Sequence, residues 1–119
     1  MLFVCYPKCS TCKKAEAWLT EHGAAFQKRD IKEDNPTREE LARWLAASGL
    51  PVKRFFNTSG LQYKALGLKD RLPAMTVEEQ LDLLSTDGTL VKRPILVDGD
   101  TVLVGFKEAE AFIFTVNCE

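Results

Sequence analysis

The sequence lacks an excess of charge of either sign, and it lacks any long apolar stretch. It has 16 lysine and arginine residues against 17 aspartate and glutamate residues, so the net charge is −1. A chain this balanced has no bulk electrostatic field to attract nucleic acid or an anionic membrane. No apolar run approaches the about 20 residues of a membrane span, and residues 2–6 lack the flanks of a signal peptide. We therefore expect a cytoplasmic protein with no membrane partner and no direct nucleic-acid partner.

Cysteine is sparse, and its placement is informative. Four cysteines occur among 119 residues, namely Cys5, Cys9, Cys12 and Cys118. In a reducing compartment such a set indicates catalysis, redox sensing or metal binding, and not a disulfide framework. Because no repeat or low-complexity tract divides the chain, we expect one domain over residues 1–119. A monomer is expected.

The first thirty residues predict a β-α-β unit. An apolar strand at residues 2–6 leads into a helical pattern over about 11–22, which Ser10 or Thr11 can cap. Residues 25–31 alternate loosely and indicate a second strand. Since a helical crossover joins neighbouring parallel strands, we expect these two strands to be parallel.

A helical segment follows over about residues 37–84. Two capping boxes begin helices within it, one pairing Thr37 with Glu40 and the other pairing Thr76 with Glu79. The segment is longer than a crossover requires and too short to be an independent domain. We therefore predict a helical insertion within a single fold.

The last third of the chain predicts a hairpin and a closing helix. Apolar runs at 95–97 and 102–104 flank an Asp-Gly-Asp turn at 98–100, which favours two antiparallel strands. Residues 107–116 then show helical spacing, with an apolar face formed by Ala109, Phe112, Ile113 and Val116. The complete order predicts an α/β fold of the thioredoxin-like type, a mixed four-stranded sheet flanked by helices.

The sequence PKCSTC at residues 7–12 places a cysteine where a thiolate is stabilised. Cys9 is expected at, or just before, the start of the first helix, where unpaired N–H groups and the helix dipole favour negative charge. Lys8, Lys13 and Lys14 add positive charge nearby. Such surroundings lower a cysteine pKa from about 8.5 to about 3.5–7.5. Cys9 is therefore the predicted nucleophile.

Cys12 lies one helical turn further on and is the predicted resolving thiol. It can attack an intermediate on Cys9 and close a disulfide, which an external thiol must then reduce, so no bound cofactor is needed. Two alternatives stay open, a chance spacing of two cysteines and half of a zinc site. The remaining soft ligands, Cys5, Cys118 and His22, form no second close pair, so no metal is expected. Cys118 is either inert or a third redox sulfur.

Three segments carry a family resemblance: YPKCSTCKKA, GLPVKRFFNTSG, and KRPILVDGD followed by VGFKE. With them the chain resembles the arsenate reductase (ArsC)-like family, including its Spx/MgsR regulator branch, along nearly its whole length. The resemblance implies a thioredoxin-like fold with a helical insertion, and Arg93 beside the nucleophile. Pro94 then resembles the cis-proline of such folds. The expected catalytic residues are Cys9, Cys12 and Arg93, and the expected substrate-binding residues are Lys8, Ser10, Thr11, Arg93 and Pro94.

The chain also departs from the pattern of classical arsenate reductases. Asn57 and Phe106 stand at positions where those enzymes carry two further arginines around the oxyanion. A site with one arginine and a helix N-terminus holds arsenate less well. Cys12 stands where such enzymes commonly have serine, which favours an internal disulfide and likens the chain to the Spx/MgsR branch.

Two functions follow from the resemblance. The first is a thiol-dependent reductase whose partner is glutaredoxin, thioredoxin or a low-molecular-weight thiol. The second is an Spx-like redox sensor that binds the RNA polymerase alpha subunit. Ser48, Gly49 and Leu50 correspond roughly to the polymerase-contacting part of Spx, but Gly49 is also where the preceding helix is expected to end.

Overall fold

The computed structural model describes residues 1–111 of the chain. Its four strands are β1 (Leu2–Cys5), β2 (Gln27–Asp30), β3 (Ile95–Asp98) and β4 (Thr101–Val104). Its helices are α1 (Ser10–Glu21), α2 (Arg38–Ser48), α3 (Leu61–Ala65), α4 (Leu68–Arg71), α5 (Val77–Thr86) and α6 (Glu108–Ala111). Short 3₁₀ turns occur at Val52–Phe55, Leu72–Ala74 and Gly88–Leu90. Within residues 1–111, no helix combines the length and the apolar character that a bilayer crossing needs.

The four strands form one mixed sheet in the order β2-β1-β3-β4. The strands β1 and β2 are parallel, whereas β3 is antiparallel to both β1 and β4. This arrangement confirms the predicted fold class. The closing helix is described only as far as Ala111. The side chain of Ala109, together with Phe112, Ile113, Val116 and Cys118, lies outside the described part of the chain.

Local sequence signals fix most of the element ends. Both predicted capping boxes are present: the hydroxyls of Thr37 and Thr76 each accept a hydrogen bond from the amide three residues on, and the threonine amides donate to the carboxylates of Glu40 and Glu79. Gly49 ends α2 with a φ of 69°, a left-handed conformation that glycine adopts without steric cost. The first helix differs from the prediction. Cys9 itself, and neither Ser10 nor Thr11, occupies the position that caps α1.

The hairpin loop lies within the predicted Asp-Gly-Asp turn at 98–100. Asp98 pairs with Thr101, so the two-residue loop is Gly99-Asp100. Only Gly99 has a positive φ, of 59°, which is the pattern of a type II′ turn. The hairpin itself is as predicted, because a glycine at the first loop position suits the twist of the paired strands.

The sheet separates two apolar clusters. Successive residues of β1 alternate between them: Val4 packs with the helical segment, whereas Phe3 and Cys5 pack with α1. On the helical side, α2 packs against α5 and against β4. The predicted insertion therefore shares its core with the sheet. That residues 1–119 form a single domain stays a prediction.

One edge of the sheet collects several chain segments. The carboxyl ends of the parallel strands β1 and β2 lie at the same edge, and the antiparallel strand β3 begins there. The helical segment is tied to this edge by a bridge between Phe56 and Val91, and by hydrogen bonds from Asn57 N to Leu90 O (2.7 Å) and from Lys92 N to Phe55 O (2.8 Å). The loops after β1, after β2 and before β3 are thereby brought together.

Candidate redox site

A tight turn carries the chain from β1 into α1. The Cys9 amide donates to the Tyr6 carbonyl at 2.9 Å, which closes a four-residue turn with Pro7 at its second position. Proline suits that position because its φ is already fixed near the required value. Cys9 then has an extended conformation, with φ −84° and ψ 127°, immediately before the first helical residue. The turn therefore holds the cysteine at the helix N-terminus.

The surroundings of Cys9 favour its anion. Burial is the largest single influence and by itself raises the pKa of the thiol, but it is outweighed by hydrogen bonds from the Cys12 amide and thiol, the Thr11 amide and the Arg93 guanidinium. The pKa of Cys9 consequently lies below its ordinary value. The Thr11 and Cys12 amides belong to the first turn of α1, where N–H groups without helical partners favour a nearby negative charge.

Cys12 has the opposite character. It is 2% exposed, and the Tyr6 amide donates to its sulfur at 3.3 Å. Burial is the main reason that the pKa of Cys12 is raised to about 12, and the Tyr6 amide only partly offsets it. Both thiols are free in this structure. The pair thus combines a sulfur whose surroundings favour the anion with a neighbouring sulfur that stays protonated at neutral pH.

Arg93 reaches the site from the loop before β3. Its Nη1 donates to the Thr89 carbonyl at 3.1 Å, and its guanidinium carbon lies 5.0 Å from the centre of the Tyr6 ring. Its guanidinium is also one of the groups that lower the pKa of Cys9. The Arg93–Pro94 peptide bond is cis, and Pro94 is buried. The structure therefore brings together Cys9, Cys12 and Arg93 from two distant parts of the sequence.

An open cleft of about 730 Å³ lies in front of Cys9. Its polar and charged lining includes several side chains that the sequence did not assign to the site, namely Tyr6, Lys32, Asp87, Thr89 and Lys92. Two sequence signals were available: Lys32 follows the second strand closely, and Lys92 lies next to Arg93. These two lysines place more positive charge at the cleft than the single-arginine count suggested.

The predicted substrate-binding residues are not equally placed. Ser10 and Thr11 line the cleft, as Arg93 does. Lys8 is exposed on the turn and does not line the cleft, and Pro94 is buried behind it. The three lysines expected to activate the thiol are not among the groups with the largest effect on Cys9; Arg93 is the cation in that set. The assignment of binding roles stays a prediction.

The two positions without arginine have different surroundings. Asn57 lines the cleft, and its amide nitrogen lies 3.4 Å from the Thr89 carbonyl. Phe106 instead packs edge-on against Trp18, with ring centres 5.8 Å apart. Only position 57 of this pair therefore lies at the cleft.

The third described cysteine is a core residue. Cys5 is 1% exposed in β1, and burial raises the pKa of its thiol. Within residues 1–111, no cluster of three or more histidine, cysteine, aspartate or glutamate side chains is placed to hold a metal ion. The sulfur chemistry of the described part is therefore concentrated at Cys9 and Cys12.

The sheet order β2-β1-β3-β4, a cysteine at the start of the first helix and a cis-proline before the third strand define a thiol-redox protein of the thioredoxin-like fold. A match to a protein-family model narrows this class to one family. The model of the ArsC family matches residues 5–114, and the chain belongs to that family.

Sequence relatives within the family carry different names. The chain is 51% identical over 108 residues to the uncharacterized protein YusI of Bacillus subtilis, covering 91% of this chain and 92% of that one. It is 34% identical over 110 residues to the regulatory protein MgsR of the same organism, covering 92% of this chain and 86% of the relative. The relatives thus include a named regulator.

Solved structures agree with the fold throughout. An ArsC family related protein from Bacteroides fragilis superposes with a TM-score of 0.94 at 56% identity, covering 95% of each chain. A possible arsenate reductase from Streptococcus mutans superposes with a TM-score of 0.85 at 44% identity, covering 94% of this chain and 95% of that one. One of these two neighbours is thus described only by its family, and the other as a possible reductase.

Proposed function

We propose that this ArsC-family protein is a thiol-dependent reductase, similar to arsenate reductases, that cycles a Cys9–Cys12 disulfide. The observation that carries the proposal is the contrast between two contacting sulfurs. The pKa of Cys9 is lowered, whereas that of Cys12 is raised to about 12. A partly exposed thiolate beside a buried thiol suits one sulfur for attack on a substrate and the other for resolution.

The cycle follows from this contrast. With a disulfide substrate, the Cys9 thiolate attacks one sulfur, a mixed disulfide forms, and the other substrate sulfur leaves as a thiolate. Cys12 then attacks the Cys9 sulfur, gives up its proton to the departing group, and closes the internal disulfide. The substrate gains the two electrons that the cysteine pair loses. With arsenate, the Cys9 sulfur bonds to arsenic, and an arsenate hydroxyl that is protonated from solvent leaves as water. Cys12 then attacks the Cys9 sulfur and closes the internal disulfide, the sulfur–arsenic bond breaks with its electron pair staying on arsenic, and arsenite leaves with the proton of Cys12.

The cleft supports an anionic substrate or leaving group. Lys32, Lys92 and Arg93 line it together with a single carboxylate, Asp87. A tetrahedral oxyanion fills only a small part of about 730 Å³, which leaves room for a thiol reductant beside it. We infer glutaredoxin, thioredoxin or a low-molecular-weight thiol as that reductant, and the cytoplasm as the compartment that supplies it. The name of the Streptococcus mutans neighbour agrees with this proposal.

The decisive experiment uses the resolving cysteine as a trap. Reduced Cys12→Ser protein is incubated with a disulfide substrate, and a stable mixed disulfide on Cys9 is expected by mass spectrometry. The wild-type protein under the same conditions should release the substrate thiol and gain an internal disulfide. Cys9→Ser is the matched control, and it should form neither product.

Turnover then identifies the substrate. Arsenate and a small disulfide are offered in parallel with NADPH-coupled thioredoxin or glutaredoxin, and arsenite or thiol release is measured. Turnover of either substrate that depends on Cys9 supports the reductase. A mixed disulfide on Cys12 of the wild type, or equal turnover by Cys9→Ser, would contradict it.

A second candidate is a redox-gated regulator, which the names of the relatives favour. MgsR is described as a regulatory protein, and a Streptococcus mutans relative that is 30% identical over 108 residues is described as the global transcriptional regulator Spx. On this view the Cys9–Cys12 disulfide alters a surface that binds the RNA polymerase alpha subunit. Gly49 carries no weight for it, because its φ of 69° at the end of α2 already explains the glycine. Binding of the isolated polymerase alpha subunit by the oxidised protein alone, without turnover, would favour the regulator.

A further inference from the structure

Tyr6 contacts each of the three residues proposed for catalysis. Its carbonyl accepts from the Cys9 amide at 2.9 Å, and its amide donates to the Cys12 sulfur at 3.3 Å. Its ring lies 5.0 Å from the guanidinium carbon of Arg93. The side chain is half-buried at the wall of the cleft. Tyr6 is therefore the point at which the sulfur pair and the arginine meet.

The ring matters because, within residues 1–111, few other groups hold the Arg93 side chain in place. Its Nη1 donates to the Thr89 carbonyl, and Thr89 is itself fixed by Asp87, whose Oδ1 accepts from the Thr89 amide at 2.9 Å and hydroxyl at 2.7 Å. One carbonyl leaves a long side chain free to rotate, since arginine has several flexible bonds. A cation over an aromatic face is held there by the ring quadrupole. The ring and the carbonyl together direct the guanidinium toward Cys9.

We propose that Tyr6 is a positioning residue, whose ring holds the Arg93 guanidinium at the site while its amide holds the Cys12 sulfur. The inference rests on the proposed role of Cys9 as the nucleophile. Tyr6 itself takes part in no bond-making step. Its ring acts through Arg93, and its backbone acts through Cys12.

Other charged and titratable groups face the same site and must be held constant in a test. Lys32 and Lys92 line the cleft with Asp87, and the thiol of Cys5 lies behind the pair. Substitution of the Tyr6 side chain leaves all of them in place, and it leaves the two backbone hydrogen bonds of residue 6 as well. A difference between variants at Tyr6 therefore reports the ring.

The test is the rate of Cys9 alkylation by iodoacetamide as a function of pH. Tyr6→Leu removes the ring, whereas Tyr6→Phe keeps an aromatic face under the guanidinium. Tyr6→Leu should raise the apparent pKa of Cys9. At a pH below the pKa of Cys9 in the wild type, it should also slow alkylation about threefold to tenfold. Tyr6→Phe should restore most of the wild-type rate. Tyr6→Met, also without a ring, replaces Tyr6→Leu if that variant does not fold.

A second arm separates positioning from general disturbance of the loop. In an Arg93→Gln background, Tyr6→Leu should have almost no further effect, because the ring then has no cation to hold. The proposal would be overturned if Tyr6→Leu slowed Cys9 alkylation as much in the Arg93→Gln background as in the wild type. It would also be overturned if Tyr6→Leu alone left the pH dependence of alkylation unchanged. If the wild type itself shows an ordinary thiol profile, the proposed function fails instead, so the two failures are distinguishable.

Discussion

Two cysteines separated by only two residues have opposite environments. Cys9 stands before the first helical residue, where amides and a guanidinium offset its burial, and its pKa is lowered. Cys12 lies on the inner face of α1 with 2% of its surface exposed, and its pKa is raised to about 12. The difference arises because one turn of helix carries the chain from the cleft to the core.

The Cys12 thiol contributes to this difference, because as a hydrogen-bond donor it is one of the groups that lower the pKa of Cys9. Cys12→Ala removes the donor, whereas Cys12→Ser replaces it with a hydroxyl. We expect Cys12→Ala to raise the pKa of Cys9 and to slow its alkylation about threefold to tenfold at acidic pH, and Cys12→Ser to have a smaller effect. Iodoacetamide kinetics measure both. Equal rates for the two variants would show that this hydrogen bond is unimportant.

The lysines at the cleft offer a test of substrate charge. Lys32→Gln and Lys92→Gln should each slow the reaction of Cys9 with the dianionic disulfide 5,5′-dithiobis(2-nitrobenzoate), and added salt should reduce the difference from wild type. The reaction with neutral 2,2′-dithiodipyridine is the control and should change less than twofold, roughly. Stopped-flow absorbance follows both reagents. Equal slowing with the two reagents would indicate an effect on the thiolate and not on the approach of an anion.

At the scale of the elements, one capping box is joined to the sheet and the other is not. Glu40 completes the box of α2 and also binds Arg29 of β2 through two hydrogen bonds, of 2.6 and 2.9 Å. The hydrogen bonds from Arg29, more than those within the box, lower the pKa of Glu40 to about 2. Glu79 holds the same place in the box of α5, and residues 1–111 offer it no such arginine partner. Comparing Glu40 with Glu79 therefore separates the contribution of the ion pair with Arg29 from that of the capping box.

This arrangement makes a prediction for stability against pH. The pKa of Glu40 is about 2 when folded and about 4.3 when unfolded. Its contribution is thus complete above about pH 5 and is lost as pH falls toward 2. Glu40→Gln should lower the free energy of unfolding by about 2–3 kcal/mol at pH 7 and by progressively less below pH 5.

Urea denaturation of the Glu40→Gln protein between pH 3 and 7 measures the effect. Glu79→Gln is the control for the cap alone, and it should cost less than about 1 kcal/mol at pH 7. A pH-independent loss for Glu40→Gln would show that the cost lies in the cap and not in the ion pair.

At the scale of the whole molecule, the helical segment and the sheet meet through very close backbone packing. A Cβ built on Gly88 would lie 1.7 Å from the carbonyl oxygen of Ile31, the first residue after β2. Nearby, the Asn35 side chain donates to the Ser85 carbonyl at 2.8 Å. The glycine therefore lets the loop before β3 approach the loop after β2, and both loops line the cleft.

Gly88→Ala should consequently destabilise the protein by more than about 3 kcal/mol, because backbone on both sides must move. Gly49→Ala is the matched control. It has open space around its Cβ, and only its left-handed conformation opposes the change, at about 1–2 kcal/mol. Thermal unfolding followed by circular dichroism compares the two. Equal costs would contradict the contact between the loops.

The features that the sequence itself determined are local. The capping boxes, the glycine that ends α2 and the hairpin glycine each act within a few residues, so their signals can be read along the chain. The β-α-β unit and its parallel strands follow from the same kind of reading, as does the cysteine at the start of α1. Such short-range features do not depend on which other segments of the chain pack against them.

Only the tertiary structure decided the composition of the cleft. Tyr6, Lys32 and Thr89 belong to three loops that are distant in sequence. The loops meet because β1 and β2 end, and β3 begins, at the same edge of the sheet. The contrast between Cys9 and Cys12 likewise depends on burial and on a guanidinium from position 93. Charge, desolvation and ring contacts act over a few ångströms of space, and the distance along the chain does not reveal which residues come that close.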